Sequence, residues 1–329
     1  MGGFAGKLAV VTGGGLGMGR ELVRQLAAQG CSVAACDWNA AAVADTVAMA
    51  QAGAPDGVGV SNHACDVSDE AQVQRFRDEL LSEHAADDID LVFSNAGIGG
   101  APSFVKSSRE EWERTFAVNW WGAYYCARAF LPLLIASGDG VLINTSSVNG
   151  FWAALGPGMP NTAYATAKFA IRGFTEALIE DLRTNAPQVR VVLVMPGHVG
   201  TDILANSRRA HGTPEPRDMP DAQIEGLIPA DARAALIRAG ALPEGASAGD
   251  VRRFIARVET EFRDKAPLTA AAAAGIILDG VRSGAWRILV GEDAARIDAA
   301  VRAKPEAAYD YAELAKAAAE PRREAQNVP

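Results

Sequence analysis

Along the first two-thirds of the chain, short apolar runs alternate with longer stretches in which apolar positions recur every three or four residues. The short runs fall at 8–11, 32–36, 58–64, 90–93, 141–144 and 190–194, and a seventh stands at 286–290. Most are apolar nearly throughout, which suits strands covered on both faces. Helical spacing extends over 17–29, 69–84, 109–136 and 162–185. Pro132 should kink the third of these or end its regular hydrogen bonding, and Pro187 should stop the fourth. The alternation predicts a single α/β domain over 1–329: a Rossmann-type, doubly wound parallel sheet of about seven strands with helices on both faces. Ligands of such sheets bind beyond the carboxyl ends of the strands, where the strand order reverses.

The pattern loosens over 202–267, where Pro214, Pro216, Pro220, Pro229 and Pro243 separate short helical pieces such as 230–239 and 248–262. A connection this long is usually functional, so the segment is expected to be a substrate-binding lid. A surface insertion or an oligomer contact is the other reading. The last stretch, 304–329, is rich in alanine and charge and is expected to fray or lie on a neighbour.

A net charge of −9, with no basic patch, argues against nucleic acid or an anionic membrane surface as main partner. No apolar stretch reaches the ~20 residues of a membrane span, and the start MGGFAGKLAVVTGGG reads as a first strand rather than a signal peptide. Cys31, Cys36, Cys65 and Cys126 fall in or beside buried elements without metal spacing, and the four histidines are scattered. No metal is expected, and the location is expected to be cytoplasmic.

Chemistry enters at the strand ends. VVTGGGLGMG (10–19) places Thr12, Gly13, Gly15, Leu16, Gly17 and Gly19 between the first strand and the first helix. A diphosphate must approach backbone N–H groups at a helix N-terminus, where a Cβ would intrude. Asp37 ends the second strand, where a carboxylate can accept both ribose hydroxyls of an adenosine and repel a 2′-phosphate. No Arg or Lys occupies 14–16 or 38–39, so NAD is expected over NADP. Asp66 and Val67 follow the third strand, Asn95, Ala96 and Gly97 the fourth. Asp66 is a candidate acceptor for the adenine amino group, and Asn95 is expected to tie loop backbone together. NTSSVNGFWAALGPGMPNTAYATAK (144–168) carries Ser146, Ser147 and a Tyr164–Lys168 pair four residues apart.

In order and spacing these pieces resemble the short-chain dehydrogenases/reductases over about residues 5 to 202. The matching positions are Thr12-Gly13-x-x-x-Gly17-x-Gly19, Asp66-Val67, Asn95-Ala96-Gly97, Asn119, Ser147, Tyr164-x-x-x-Lys168 and Pro196-Gly197-x-x-x-Thr201. The resemblance implies that Tyr164 is the acid/base, Ser147 orients the substrate oxygen, Lys168 bonds the nicotinamide ribose and Asn119 holds a proton-relaying water. It further implies that Pro196, Gly197, Val199 and Thr201 border the nicotinamide. Ser147 is preferred over Ser146 as the second serine of the family's pair. Asn149 and His198 are candidate substrate contacts. Trp120, Trp121, Tyr124 and Tyr125, beside Asn119, are expected to pack in the core or at a subunit interface of a homodimer or homotetramer.

A free tyrosine has a pKa of about 10, and bringing it near 7 takes about 4 kcal/mol. An ammonium one helical turn away, together with a positive nicotinamide ring, is expected to supply that. Two departures from the family matter: 17 positions separate Ser147 from Tyr164, a few more than is usual, and 202–267 is long. Both suggest a deep apolar pocket. The expected function is NAD(H)-dependent interconversion of a bulky apolar secondary alcohol and its ketone. The alternatives are a reductase of carrier-bound ketoacyl groups and a non-catalytic NAD-binding regulator.

Overall fold

The computed structural model describes residues 3–228 and 230–312. In chain order it forms β1 (Leu8–Thr12), α1 (Gly17–Ala28), β2 (Ser32–Asp37), α2 (Ala40–Ala52), β3 (Val60–Ala64), α3 (Glu70–Glu83) and β4 (Leu91–Ser94). Next come α4 (Arg109–Phe116), a π-turn (Ala117–Trp121), α5 (Gly122–Ala136), β5 (Val141–Thr145), a small hairpin of β6 (Ala154–Gly156) and β7 (Met159–Pro160), and α6 (Thr162–Asn185). The chain continues through β8 (Arg190–Pro196), β9 (Val199–Gly200), α7 (Ile203–Ala210), α8 (Asp221–Gly226), α9 (Ala230–Arg238) and α10 (Ala248–Asp264). It closes with β10 (Leu268–Thr269), α11 (Ala270–Ser283), β11 (Arg287–Val290) and α12 (Glu292–Ala303).

Seven strands pair in the order β11-β8-β5-β4-β1-β2-β3, all parallel. The order reverses between β1 and β4, which opens a crevice above their carboxyl ends. Strand alternation sorts the core into two layers. Ala9 and Val11 of β1 face Leu22, Leu26, Ile277 and Leu278 of α1 and α11. Val10 faces Phe76, Leu80, Phe130 and Leu134 of α3 and α5 on the other side. Each such side chain, taken fully out of water, contributes about 1.5–3 kcal/mol.

The segment expected to be one helix over 109–136 is interrupted, but not at Pro132, which sits inside α5 as the helix runs on to Ala136. The break is the π-turn at Ala117–Trp121, closed by Gly122 N–H donating to the Ala117 carbonyl five residues back. Its cause is local: Asn119 Nδ2 donates to the Thr115 carbonyl at 2.8 Å, taking the acceptor that the Asn119 backbone would use in an α-helix.

Residues 202–267 form a helical unit. Its ends are held together where β9 pairs in parallel with β10, Val199 opposite Leu268. Met219, Ile224, Ala248 and Val251 give it a small apolar cluster of its own. Arg208 binds both Glu215 and Glu259, tying α7 to α10. The start of the tail packs within the chain: Trp152 Nε1 donates to the Ala308 carbonyl at 2.8 Å, and Tyr311 meets the Trp152 ring edge-on. Residues 313–329, the rest of the segment expected to fray, lie outside the described residues. Among the described residues no helix is long and apolar enough to cross a membrane, and no cluster of His, Cys, Asp or Glu is placed to hold a metal.

Candidate active site

The crevice at the β1–β4 reversal brings together Gly13, Leu16, Gly17, Gly19, Asp37, Asp66, Val67, Asn95, Ala96, Gly97 and Thr201. Leu16, the N-cap of α1, offers no capping side chain, unlike Asn39, Asp69 and Ser108 on α2, α3 and α4. The first N–H groups of α1 are therefore not claimed by a cap and point at the crevice, the arrangement that receives a diphosphate. Gly17 has φ +54°, and a Cβ there would lie 3.0 Å from Thr201 Cγ2. Glycine thus lets Thr201 close down over the loop. Thr12 lies behind it, its Oγ1 accepting from Asn95 N and Ala96 N at 3.1 Å each. Asn95 Nδ2 donates to the Thr12 carbonyl, so Asn95 ties the ends of β1 and β4 together.

Asp37 Oδ2 accepts from Gly15 N at 3.1 Å and Oδ1 from Asn39 N at 2.9 Å. Burial pushes its carboxyl above the ordinary range, opposed by those two donors and by Arg20. A carboxylate held this way has lone pairs left for further donors from the crevice. Asp66 is not waiting alone for an adenine. Burial raises its carboxyl, but hydrogen bonds from Ser68 and Arg114 outweigh that and hold it below the usual range. Arg114, 2.8 Å from Asp66 and in the crevice wall, was not identified from the sequence. Forty-eight residues separate the pair, and no local pattern links them.

Beside this crevice stand the reacting groups. Ser147 and Tyr164 are neighbours, close enough for the Ser147 side chain to favour the charged form of the tyrosine. Ser147 Oγ also caps the turn Val148–Gly150 by accepting from Asn149 N at 3.1 Å, and it lies 3.5 Å from the Pro196 carbonyl. Ser146 turns the other way and donates to the Lys168 carbonyl at 2.8 Å. This separates the two serines: one braces α6, the other lies beside Tyr164. Lys168, only 3% exposed, donates from Nζ to the Thr145 carbonyl at 2.9 Å and sits 5.4 Å from the centre of the Tyr164 ring. Asn119 Nδ2 donates to the Ile98 and Thr115 carbonyls, while its buried Oδ1 has no partner among the described residues. A Cβ on Gly97 would stand 2.7 Å from that Oδ1 and 3.3 Å from Lys168 Nζ, so the space beside Gly97 joins the two.

The expected help from Lys168 belongs to the site with its coenzyme bound; without it, burial dominates both groups. Burial drives Lys168 down to about 7, and burial drives Tyr164 up, with Ser147 pulling the other way. In the free protein both groups are pressed toward their neutral forms. Two expected substrate contacts have side chains that are already bonded within the chain. Asn149 Nδ2 donates to the Trp152 and Ala154 carbonyls, and its Oδ1 accepts from Asn161, so it staples the β6–β7 hairpin. His198 Nε2 donates to the Phe262 carbonyl at 2.8 Å, with its ring on Phe262, and so anchors β9 to α10. Gly197 N donates to the Val290 carbonyl, and Val199 lies in β9 beneath α10. Trp120 and Tyr124 pack on Phe174 of α6, leaving Trp121 41% exposed.

The sequence profile described as short chain dehydrogenase matches residues 7–212. The chain belongs to that family. Short-chain dehydrogenases are oxidoreductases, and this one shares their seven-stranded sheet. The protein called SadH in Mycobacterium tuberculosis (strain H37Rv) is 37% identical over 212 residues, 64% of this chain and 74% of that one. The (3R)-3-hydroxyacyl-CoA dehydrogenase of Mus musculus is 35% identical over 199 residues, 59% of this chain and 74% of that one. A short chain dehydrogenase/reductase from Burkholderia phymatum, solved in complex with NAD, superposes with a TM-score of 0.71 at 28% identity, covering 93% of this chain and 95% of its own. Two other similar solved structures, a metagenomic short-chain oxidoreductase and an alcohol dehydrogenase from Thermococcus sibiricus, hold NADP and 5-hydroxy-NADP. The uncapped α1, the glycine loop and the unpaired Asn119 oxygen fit a nicotinamide dinucleotide in this short-chain dehydrogenase.

Proposed function

We propose that the protein is an NAD(H)-dependent oxidoreductase that interconverts a bulky, apolar secondary alcohol and its ketone. The observation that carries this reading is Tyr164, with Ser147 as a neighbour and its ring centre 5.4 Å from the Nζ of a buried Lys168, next to a crevice whose glycine loop and uncapped helix suit a dinucleotide. When bound, the dinucleotide supplies hydride exchange and, in its oxidised form, a positive ring. Tyr164 takes the hydroxyl proton as alcohol becomes ketone and returns it in the other direction. Ser147 holds the substrate oxygen against Tyr164. Lys168 and Asn119 flank the gap beside Gly97, through which the proton passes on to water. Lys168, near 7 in the free protein, is poised to gain a proton as Tyr164 loses one, each charge stabilising the other in a dry site.

Asp37 supports NAD as the preferred coenzyme, because its carboxylate would accept from the adenosine ribose hydroxyls and repel a 2′-phosphate, while nearby Arg20 is turned to the Gly15 carbonyl and Thr46. The apolar substrate is supported by apolar side chains exposed on the segments that lead into or bond to the start of α6. Leu155 and Met159 on the hairpin are 54% and 51% exposed, and Phe104 and Val105 stand out from a loop whose Pro102 carbonyl accepts from Thr162 N, two residues before Tyr164. The exposed Trp121 and Phe169 beside α5 and α6 support pairing of subunits on that face. Four free, buried cysteines suit a reducing compartment such as the cytoplasm.

The test is coenzyme reduction across secondary alcohols graded by size, with 3-hydroxyacyl thioesters as a separate arm and NADP⁺ as the competing coenzyme. Tyr164→Phe should abolish turnover of whichever substrate is used while NADH still binds. Full activity in that variant would sink the mechanism.

A further inference from the structure

We propose that His211 and Ser207, at the end of α7, are positioning residues that couple closure of the 202–267 segment to the aim of Asn119. This rests on the reading above, in which Asn119 and Lys168 pass the substrate's proton onward. α7 forms one wall of the dinucleotide crevice through Ile203, Asn206 and Arg209. One turn further on, it grips the peptide group of Gly99 at both ends. Gly99 N donates to Ser207 Oγ at 2.7 Å, and His211 Nε2 stands 3.0 Å from the Gly99 carbonyl. A carbonyl only accepts, so Nε2 carries the proton. The same nitrogen lies 3.3 Å from Thr115 Oγ1, whose own proton goes to the Glu111 carbonyl.

These attachments meet the two acceptors that orient Asn119. Its Nδ2 donates to the carbonyls of Ile98, next to Gly99, and of Thr115. Residues 97–99 are therefore held between Asn119 on one side and α7 on the other, with the unpaired Asn119 Oδ1 turned toward Lys168 Nζ across Gly97. Gly100 makes the fit possible: its φ is +141°, and a Cβ there would strike the His211 ring. With α7 down, Gly99 is fixed, the Ile98 carbonyl is fixed and Asn119 is aimed. With α7 lifted, Gly99 loses both partners and the relay loses its brace. Enclosing the cofactor and arming the proton path are thus one event.

The experiment compares His211→Phe, which keeps a ring but has no donor, with His211→Gln, which restores an N–H near the position of Nε2. In His211→Phe, kcat should fall about tenfold and the solvent deuterium isotope effect on kcat should rise, as the proton path becomes limiting. NADH affinity should stay within about threefold, since the crevice wall is intact. His211→Gln should recover most of the lost rate. Amide hydrogen exchange of residues 95–101 in the cofactor-free protein should quicken in His211→Phe and not in His211→Gln. Wild-type kcat in His211→Phe, unchanged exchange, or equal damage in both variants overturns the proposal. If the wild type turns over no substrate offered, the functional reading has failed, and the exchange measurement alone decides whether the coupling exists.

Discussion

Lys168→Met separates what the buried lysine does for catalysis from what it costs the fold. The ammonium is driven from an ordinary 10.5 to about 7, and the cause is desolvation. At 1.36 kcal/mol per pKa unit, holding the charge inside costs about 5 kcal/mol when it is fully present, and about 4 at pH 7. The sign follows from proton binding. The folded pKa lies below the unfolded one, so between about 7 and 10.5 the native state holds fewer protons. Stability therefore rises with pH across that window and is lost as pH falls through it. Methionine has similar volume and no charge, but it forfeits the bond to the Thr145 carbonyl, a loss of about 1 kcal/mol. The cofactor-free variant should then be about 2–3 kcal/mol more stable than wild type at pH 7, a rise in Tm of roughly 3–5 °C. At pH 10 the lysine's cost shrinks to about 1 kcal/mol, and the two proteins should match. Denaturant unfolding of both proteins at pH 7, 8.5 and 10 measures this directly, since all other titrating groups are shared. A difference that is constant with pH would refute the reasoning, as would a variant less stable at pH 7. Turnover should be lost at every pH, the pattern expected where a functional group is kept at the expense of stability.

Three further outcomes can be checked. Asp37→Ala should weaken NAD binding by roughly 10- to 100-fold, the worth of one or two charge-assisted hydrogen bonds, and narrow the preference over NADP in kcat/KM. Gly97→Ala puts a methyl group against Asn119 Oδ1 and Lys168 Nζ, and turnover should fall about 100-fold, as for a misplacement of about 1 Å among reacting groups. Activity within twofold of wild type would show that the gap is not used. Asn149→Ala leaves two buried carbonyls without donors and should cost about 2–4 kcal/mol, seen as a lower Tm. A raised substrate KM with an unchanged Tm would instead make Asn149 a substrate contact.

Much of this was legible because it is encoded over short distances. The seven strands lie within two residues of their expected limits, since an apolar run bounded by glycine, proline or asparagine needs only its own neighbours to be read. The glycine loop, Asp37 and the Tyr164–Lys168 spacing are local in the same sense. The π-turn was hidden although its cause is local. Asn119 lies in a plausible helical pattern, and only the observed bond to Thr115 shows that its side chain displaces a backbone donor.

Tertiary structure decided the rest, and the reason is range. Ser146 and Ser147 are adjacent and chemically alike, yet extended backbone sends one to the Lys168 carbonyl and the other toward the Pro196 carbonyl and the Asn149 N–H. Asp66 meets Arg114 across 48 residues, and Gly99 meets His211 across 112, because crossovers return distant segments to the same strand ends. Desolvation also depends on everything packed around a group, which is why the pressure of Lys168 and Tyr164 toward neutrality in the free protein was not legible from their spacing. By itself the sequence determined the sheet, the phosphate loop and which residue types could do the chemistry. Which way each side chain faces, what it already holds and how dry it is were settled only when the chain closed on itself.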